Sequence, residues 1–271
     1  MKRLIVLAAA LALGACGSGS GNLTIVGTSP STIGVGAQRL VMAEVDPATS
    51  AFVGGPDDEI TVTFTGPSDA AQTVPAQWVW SIEGVRGFLI ARPDFGESGA
   101  WTAAITSPRG TTDPTSFTVN TAIPIPEVGE RVPESQTRVS ADFELKAITT
   151  DPDPDPAFYE TTVADAVSNG TPSLIVFATP AYCQTAVCGP TMEIVKEVVE
   201  AHPDLDVVHV EIFENVDSEG AGPLIEVDAV IEWGLPSEPW IYVVDAEGVA
   251  SARFEGAVAP DELGAALDEL G

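Results

Sequence analysis

Two cysteines with four residues between them, Cys183 and Cys188 in "TPAYCQTAVCGP" (179–190), are the residues of this 271-residue chain best equipped for chemistry. Two thiols at close range can form a disulfide, exchange it with another molecule, or hold a soft metal. Their spacing restricts how they meet. In a regular helix positions 183 and 188 would stand with Cα atoms roughly 8.6 Å apart, beyond the ~7 Å that a disulfide tolerates. The pair must therefore sit in a loop. Gly189-Pro190 agrees, because proline suits the first helical position and would start the helix after Cys188. Closing this small ring would add only ~2 kcal/mol of stability on chain-entropy grounds. Three uses stay open: a working redox pair, a static clip on the loop, or thiol ligands for a soft metal.

The elements that must position the pair alternate between two periods. "SLIVFAT" (173–179) is a continuous apolar run, as a strand covered on both faces requires. "GPTMEIVKEVVEAHP" (189–203) sets Met192, Val195 and Val199 on one helical face. The thiols thus fall at a helix N-terminus, where unpaired N–H groups and partial positive charge favour thiolate over thiol. "TTVADAVSNG" (161–170) reads as a short helix with a Thr cap and a closing Gly170, and "FELKAIT" (143–149) and "DVVHVEIF" (206–213) read as strands. After a looser stretch with helical character (216–233), "PWIYVVDAEG" (239–248) and "VASARFEG" (249–256) form a hairpin turning at Glu247-Gly248. "PDELGAALDEL" (260–270) closes as an amphipathic helix. Strands separated by helices imply a parallel core, and the terminal hairpin adds antiparallel edges.

Residues 134–271 resemble the thioredoxin superfamily. The resemblance rests on "FATPAYC", an apolar strand running straight into a cysteine and a helix, and on "LPSEPWIYVVD", which puts Pro239 directly before a later strand. It implies an α/β thioredoxin-like fold, a Cys183–Cys188 disulfide, Cys183 as the attacking thiol and Cys188 as the resolving one. It further implies a cis bond at Pro239 facing the pair, with Glu238 lining the site, and no cofactor. The chain departs from the family in three ways. Its cysteines are spaced by four residues instead of two, and Tyr182 replaces the tryptophan before the first. The family also keeps a buried carboxylate in the strand leading to the site, yet here every residue from Leu174 to Ala178 is apolar. Either exchange is slow, or the proton passes to Glu238 or to water.

Other ligands are scarce. Sco-type copper chaperones join two cysteines to a later histidine on this fold, which makes His209 the residue to test, but its mid-strand position lies several residues below the site and reads as a packed or surface histidine. His202, before Pro203, reads as a terminal cation or cap. The aspartates of "DPDPDP" (151–156) resemble the first half of an EF-hand loop, but Pro156 stands where Gly is needed and Thr162 where a bidentate Glu is needed. The segment reads as a stiff solvated loop, and no metal site is assigned. With two histidines in the chain, a Ser-His-Asp mechanism is excluded, and neither a phosphate loop nor a nucleophile elbow occurs.

Residues 23–122 differ in kind. Short alternating runs such as "RLVMAEV" (39–45), "EITVTFTG" (59–66), "QWVWSI" (77–82), "GAWTAAIT" (99–106) and "SFTVN" (116–120) predict an all-β immunoglobulin-like sandwich, with Trp78, Trp80 and Trp101 as core or face aromatics. No chemistry is visible in this block, which reads as a spacer or docking module. A proline-studded linker (123–133) joins it to the second block. Charge divides the chain at the same place: residues 23–122 carry ten acids and four bases, residues 123–271 thirty acids and five bases.

The start, "MKRLIVLAAALALGAC", has two basic residues, an apolar run too short to span a membrane, and small residues before Cys16. Leu13-Gly14-Ala15-Cys16 resembles the bacterial lipobox, which implies a signal peptide over 1–15, lipidation of Cys16 and a "GSGSG" tether within 16–22. Cleavage there removes two bases and no acids, leaving nine bases against forty acids, a net charge of −31. Such a field repels phosphate backbones and anionic headgroups, so nucleic acid is excluded as a partner and membrane attachment falls to the acyl chains. The expectation is an extracytoplasmic, lipid-anchored thiol-disulfide oxidoreductase acting on the thiols and disulfides of exported proteins. Its alternatives are a non-catalytic binding or structural lipoprotein with a structural disulfide, and a copper-handling protein.

Overall fold

The computed structural model describes residues 22–25, 27–183, 187–216 and 223–270; Cys16, with the segments read as signal and tether up to residue 21, lies outside them. The chain is mostly β and forms two packed units, a sandwich and a smaller mixed sheet with helices on both faces.

The sandwich contains β1 (Asn22–Ile25), β2 (Leu40–Val45), β3 (Ile60–Thr65), β4 (Ala71–Ile82), β5 (Arg86–Ala91), β6 (Gly99–Ser107) and β7 (Thr115–Val119). They pair antiparallel in the order β1-β2-β5-β4-β3-β6, with β7 also on β6. One long strand makes two layers from this path. Residues 71–76 of β4 pair with β3 and residues 76–82 pair with β5, so the sheet turns a corner within β4. Leu40, Met42 and Leu89 then face Ile60, Val62, Phe64 and Trp101 across a shared core. Trp78 and Trp80 are half-buried and meet edge to face. β3 and β6 alternate buried and open positions as their sequences predict. β2 and β5 do not: Leu40–Ala43 and Gly87–Ala91 are buried without a break, because both faces of that layer are covered.

The second unit holds β8 (Ser173–Ala178), β9 (Asp206–Glu211), β10 (Trp240–Val244) and β11 (Ala250–Glu255) in the order β9-β8-β10-β11. β8 and β9 are parallel, and the remaining pairs are antiparallel. Its helices are α1 (Val163–Ala166), α2 (Cys188–Val199), α3 (Asp228–Glu232) and α4 (Pro260–Asp268). One face of β8, with Ile175 and Phe177, packs on Val163, Ala229 and Trp233; the other, with Leu174 and Val176, packs on Met192, Val195 and Leu263. Local chemistry sets the boundaries. The Thr162 hydroxyl accepts the Asp165 N–H to open α1, and Asp245 Oδ1 accepts from Glu247 and Val249 to shape the hairpin turn.

Four expectations change. The helix after the cysteines starts at Cys188, two residues early, so Pro190 is its third residue; an N–H missing there is still one that a first turn leaves unpaired. Residues 143–149 hold a 3₁₀ turn, Leu145–Ala147, in place of a strand, because Leu145 and Ile148 are one helical turn apart and both reach the core. The linker is not a free spacer: Ile125 and Val132 are buried in the second core, and its backbone bonds to residues 248–250 through Gly129, Glu130 and Val132. Within "DPDPDP", Asp151 is buried with its carboxylate 3.3 Å from Lys196, and Asp155 caps the turn that follows.

The two units meet over an apolar patch with a polar rim. Val41, Val79, Phe88 and Ile90, on the outer face of β2, β4 and β5, pack on Val187, Ala257 and Ala259, with Cys183 at the margin. Arg39 clamps the rim. Its guanidinium holds Glu262 at 2.6 and 2.8 Å and donates to the carbonyls of Glu255 and Ala257. Glu255 reaches back, accepting from the Ser29 N–H, the Thr32 hydroxyl and the Ser237 hydroxyl. At Gly256, where φ is +73°, a Cβ would stand 2.7 Å from the Gly27 carbonyl oxygen, so the units touch backbone to backbone there.

Candidate functional site

Cys183 and Cys188 are joined in a disulfide with Cα atoms 6.0 Å apart, within the span such bonds allow. Cys183 lies outside any helix and Cys188 opens α2, so the two do not share a regular helix; residues 184–186 lie outside the described residues. The Thr179 carbonyl, just past β8, accepts from the amides of Tyr182 and Cys183, which turns the chain back toward α2. The Cys188 N–H, at the start of α2, points at Cys183 Sγ from 3.3 Å. The Cys183 sulfur thus sits where the N-terminal N–H groups of a helix are directed, an environment that stabilises a thiolate. Exposure separates the two: Cys183 is half-buried, whereas Cys188 has no exposed surface and lies in the core beneath α2.

Pro239 is buried and the Glu238–Pro239 bond is cis. Phe177 of β8 pairs with Trp240, so Pro239 stands beside the end of β8 from which the cysteine loop departs. Glu238, half-buried, precedes it. Tyr182 packs edge to face on Phe213.

A carboxylate that the sequence did not reveal lies one strand away. Glu211 ends β9 opposite Ala178 and is 5% exposed. Being in register with Ala178, its side chain shares the sheet face that holds Cys188 and Met192. Burial raises its pKa above the usual carboxylate value, partly offset by hydrogen bonds from the Thr150 hydroxyl and amide and from the Ile212 N–H. The Thr150 hydroxyl, while donating to Glu211, accepts from Ala181, which ties the carboxylate to the cysteine loop. Glu211 also lines a cavity of about 90 Å³ with Gln136, Arg138 and His209, room for a few waters at roughly 30 Å³ each. Thr150 and Tyr159 roof this face of β9 and supply its donors.

His209 belongs to the same roofed face. Its Nε2 donates to the Ala178 carbonyl at 3.1 Å, so Nδ1 accepts, from the Tyr159 hydroxyl at 2.7 Å. Burial lowers its pKa to about 4, and the ring is neutral at pH 7. With both nitrogens engaged it does not serve the cysteines. His202 lies 3.9 Å from Asp268 near the end of α2. Among the described residues no group of three His, Cys, Asp or Glu side chains could hold a metal, and no helix is long and apolar enough to cross a membrane. A cleft of about 530 Å³ between the units is lined by Arg39, Arg92, Arg253, Trp240 and Glu262, with neither Cys183 nor Cys188 on its wall.

No family model matches the chain, and no curated protein matches it. Among solved structures, the crystal structure of the Lin-41 filamin domain is similar at 15% identity, covering 38% of this chain and 96% of that one, with a TM-score of 0.27. A putative glycoside hydrolase from Bacteroides vulgatus ATCC 8482 is similar at 16% identity over 38% of this chain and 22% of that one, with a TM-score of 0.23.

Proposed function

We propose that the chain is a lipid-anchored, extracytoplasmic thiol-disulfide oxidoreductase, with an immunoglobulin-like sandwich ahead of a thioredoxin-like redox unit. The observation that carries this is the Cys183 sulfur at the N-terminus of α2, 3.3 Å from the Cys188 N–H. Supporting it are the strand order β9-β8-β10-β11 with one parallel pair, helices on both faces, and a cis proline entering β10 beside the cysteine loop. The sequence pattern ending at Cys16 supports the anchor.

In the reaction, the Cys183 thiolate attacks one sulfur of a substrate disulfide. That bond breaks, its second sulfur leaves as a thiolate that takes a proton, and a mixed disulfide forms. Cys188 then loses its proton and attacks Cys183, which releases the first substrate sulfur as a thiolate and regenerates the Cys183–Cys188 bond. Two electrons pass from the protein pair to the substrate. Glu211, with its raised proton affinity and adjoining cavity, is the group suited to accept the Cys188 proton and return it to solvent. The opposite direction runs the same steps in reverse.

Mass spectrometry of alkylated protein tests the reading. A 183–188 bond that dithiothreitol opens, together with insulin reduction that Cys183→Ser abolishes, is the expected result; a bond that resists reductant with no activity in any form removes the enzyme. One observation favours a second reading, a structural clip: Cys188 is wholly enclosed in the core. The reduction potential separates the two, since structural disulfides lie below about −300 mV and catalytic ones above.

A further inference from the structure

We infer that the β-sandwich is a lid on the disulfide. Docked, it packs on Cys183 and Val187 and restricts the approach of thiols; released, it makes the Cys183–Cys188 bond quick to reduce. The two ends of the loop carry the inference. Cys183 and Val187, the residue before Cys188, both belong to the apolar cluster that joins the units. The other segments near the disulfide are gripped as well: Ser237, two residues before the cis proline, shares Glu255 with Thr32 and Ser29, and Arg39 takes the carbonyls of Glu255 and Ala257.

Exposure says what this does to chemistry. An attacking thiolate must reach one sulfur along the extension of the S–S bond. Cys188 is closed to it, and Cys183 is half-covered, with Val41, Val79, Phe88 and Ile90 of the sandwich in the cluster against which it packs. Opening the bond also frees the loop to repack, and Val187 with it, so docking and the oxidised state favour each other. By linkage the effect is reciprocal: whatever releases the sandwich favours reduction, and reduction loosens the sandwich. The inference holds whether the pair turns over substrates or serves only as a clip.

The test uses the full chain and dithiothreitol. The reagent's dithiol breaks the Cys183–Cys188 bond, becomes a cyclic disulfide, and delivers two electrons and two protons to the protein sulfurs. Reduction is followed by iodoacetamide quenching and mass spectrometry in the wild type, Arg39→Gln, Glu262→Gln and Val79→Asp. Val85→Asp, at a residue 76% exposed and outside the cluster, is the control. The three interface variants should reduce about tenfold faster or more, as a tenfold larger open population requires, with near-ultraviolet dichroism retained and a larger radius of gyration in X-ray scattering. Val85→Asp should match the wild type. Equal rates in all five proteins, or no reduction in any, overturn the lid. Faster opening in the interface variants without insulin reduction in any protein leaves the lid standing and removes the catalytic reading alone.

Discussion

Thr150 holds Glu211 by two hydrogen bonds, from its amide at 2.8 Å and from its hydroxyl at 2.7 Å, both to Oε2. A buried carboxylate this well supplied with donors can cycle between charged and neutral forms without the site collapsing. Glu211→Gln keeps the size and removes the titration. Turnover of the cysteine pair should fall on the order of 10²-fold, and the acid limb of its pH–rate profile should flatten, with Glu211→Asp restoring part of both. An unchanged profile in Glu211→Gln would take the proton away from this residue.

The same group fixes a sign in the stability curve. Because its folded pKa lies above the ordinary 4.5, the folded state binds the proton more tightly. The stabilisation it gives is complete below pH 4.5 and is lost as pH rises through the folded pKa. Glu255 is shifted the same way by burial. Subtracting the urea stability of Glu211→Gln from that of the wild type at each pH should therefore give a difference that declines with rising pH, and a rising difference would contradict the burial argument.

His209 acts in the opposite sense. Its folded value of about 4 lies below the ordinary 6.5, so its contribution is complete above 6.5 and lost as pH falls toward 4. At about 1.36 kcal/mol per unit this amounts to roughly 3 kcal/mol. His209→Gln, which can still donate to the Ala178 carbonyl and accept from Tyr159, should lose less stability than the wild type between pH 6.5 and 4. Nuclear magnetic resonance of the ring should show no titration across neutral pH.

In the reduced protein, Cys183 should react with iodoacetamide well before Cys188, because one sulfur meets solvent at a helix N-terminus and the other is enclosed. Peptide mapping after short alkylation reads the order directly. Simultaneous labelling would mean that the loop opens as a whole.

Ile125→Ala, in the proline-rich connector, should cost on the order of 2–4 kcal/mol in denaturant titration, as a core truncation does. A loss under about 0.5 kcal/mol, usual at exposed sites, would return the segment to the status of a tether.

Much of the second unit was legible because its signals are local: the apolar run of β8, the Thr162 cap, the hairpin turn and the proline before Trp240. That the two cysteines could not share a regular helix followed from spacing alone. Three things were not legible, each for a physical reason. Glu211 and His209 alternate with valines as in a half-solvated strand, and only the chain 50 residues upstream roofs them. Leu145 and Ile148 fit both a strand and a single helical turn. The role of the sandwich was the deepest gap, although a trace was present: Leu40–Ala43 and Phe88–Ala91 are unbroken apolar runs in a unit that otherwise alternates, the pattern of a layer with no solvent on either side.

The connector's backbone bonds to residues 248–250 have a colloidal consequence. β11 closes one margin of its sheet, and an open margin offers a neighbouring molecule a row of unpaired amides. Residues 129–132 cover the beginning of that row with the chain's own backbone, so molecules crowded together on a surface have one less template for stacking into fibres.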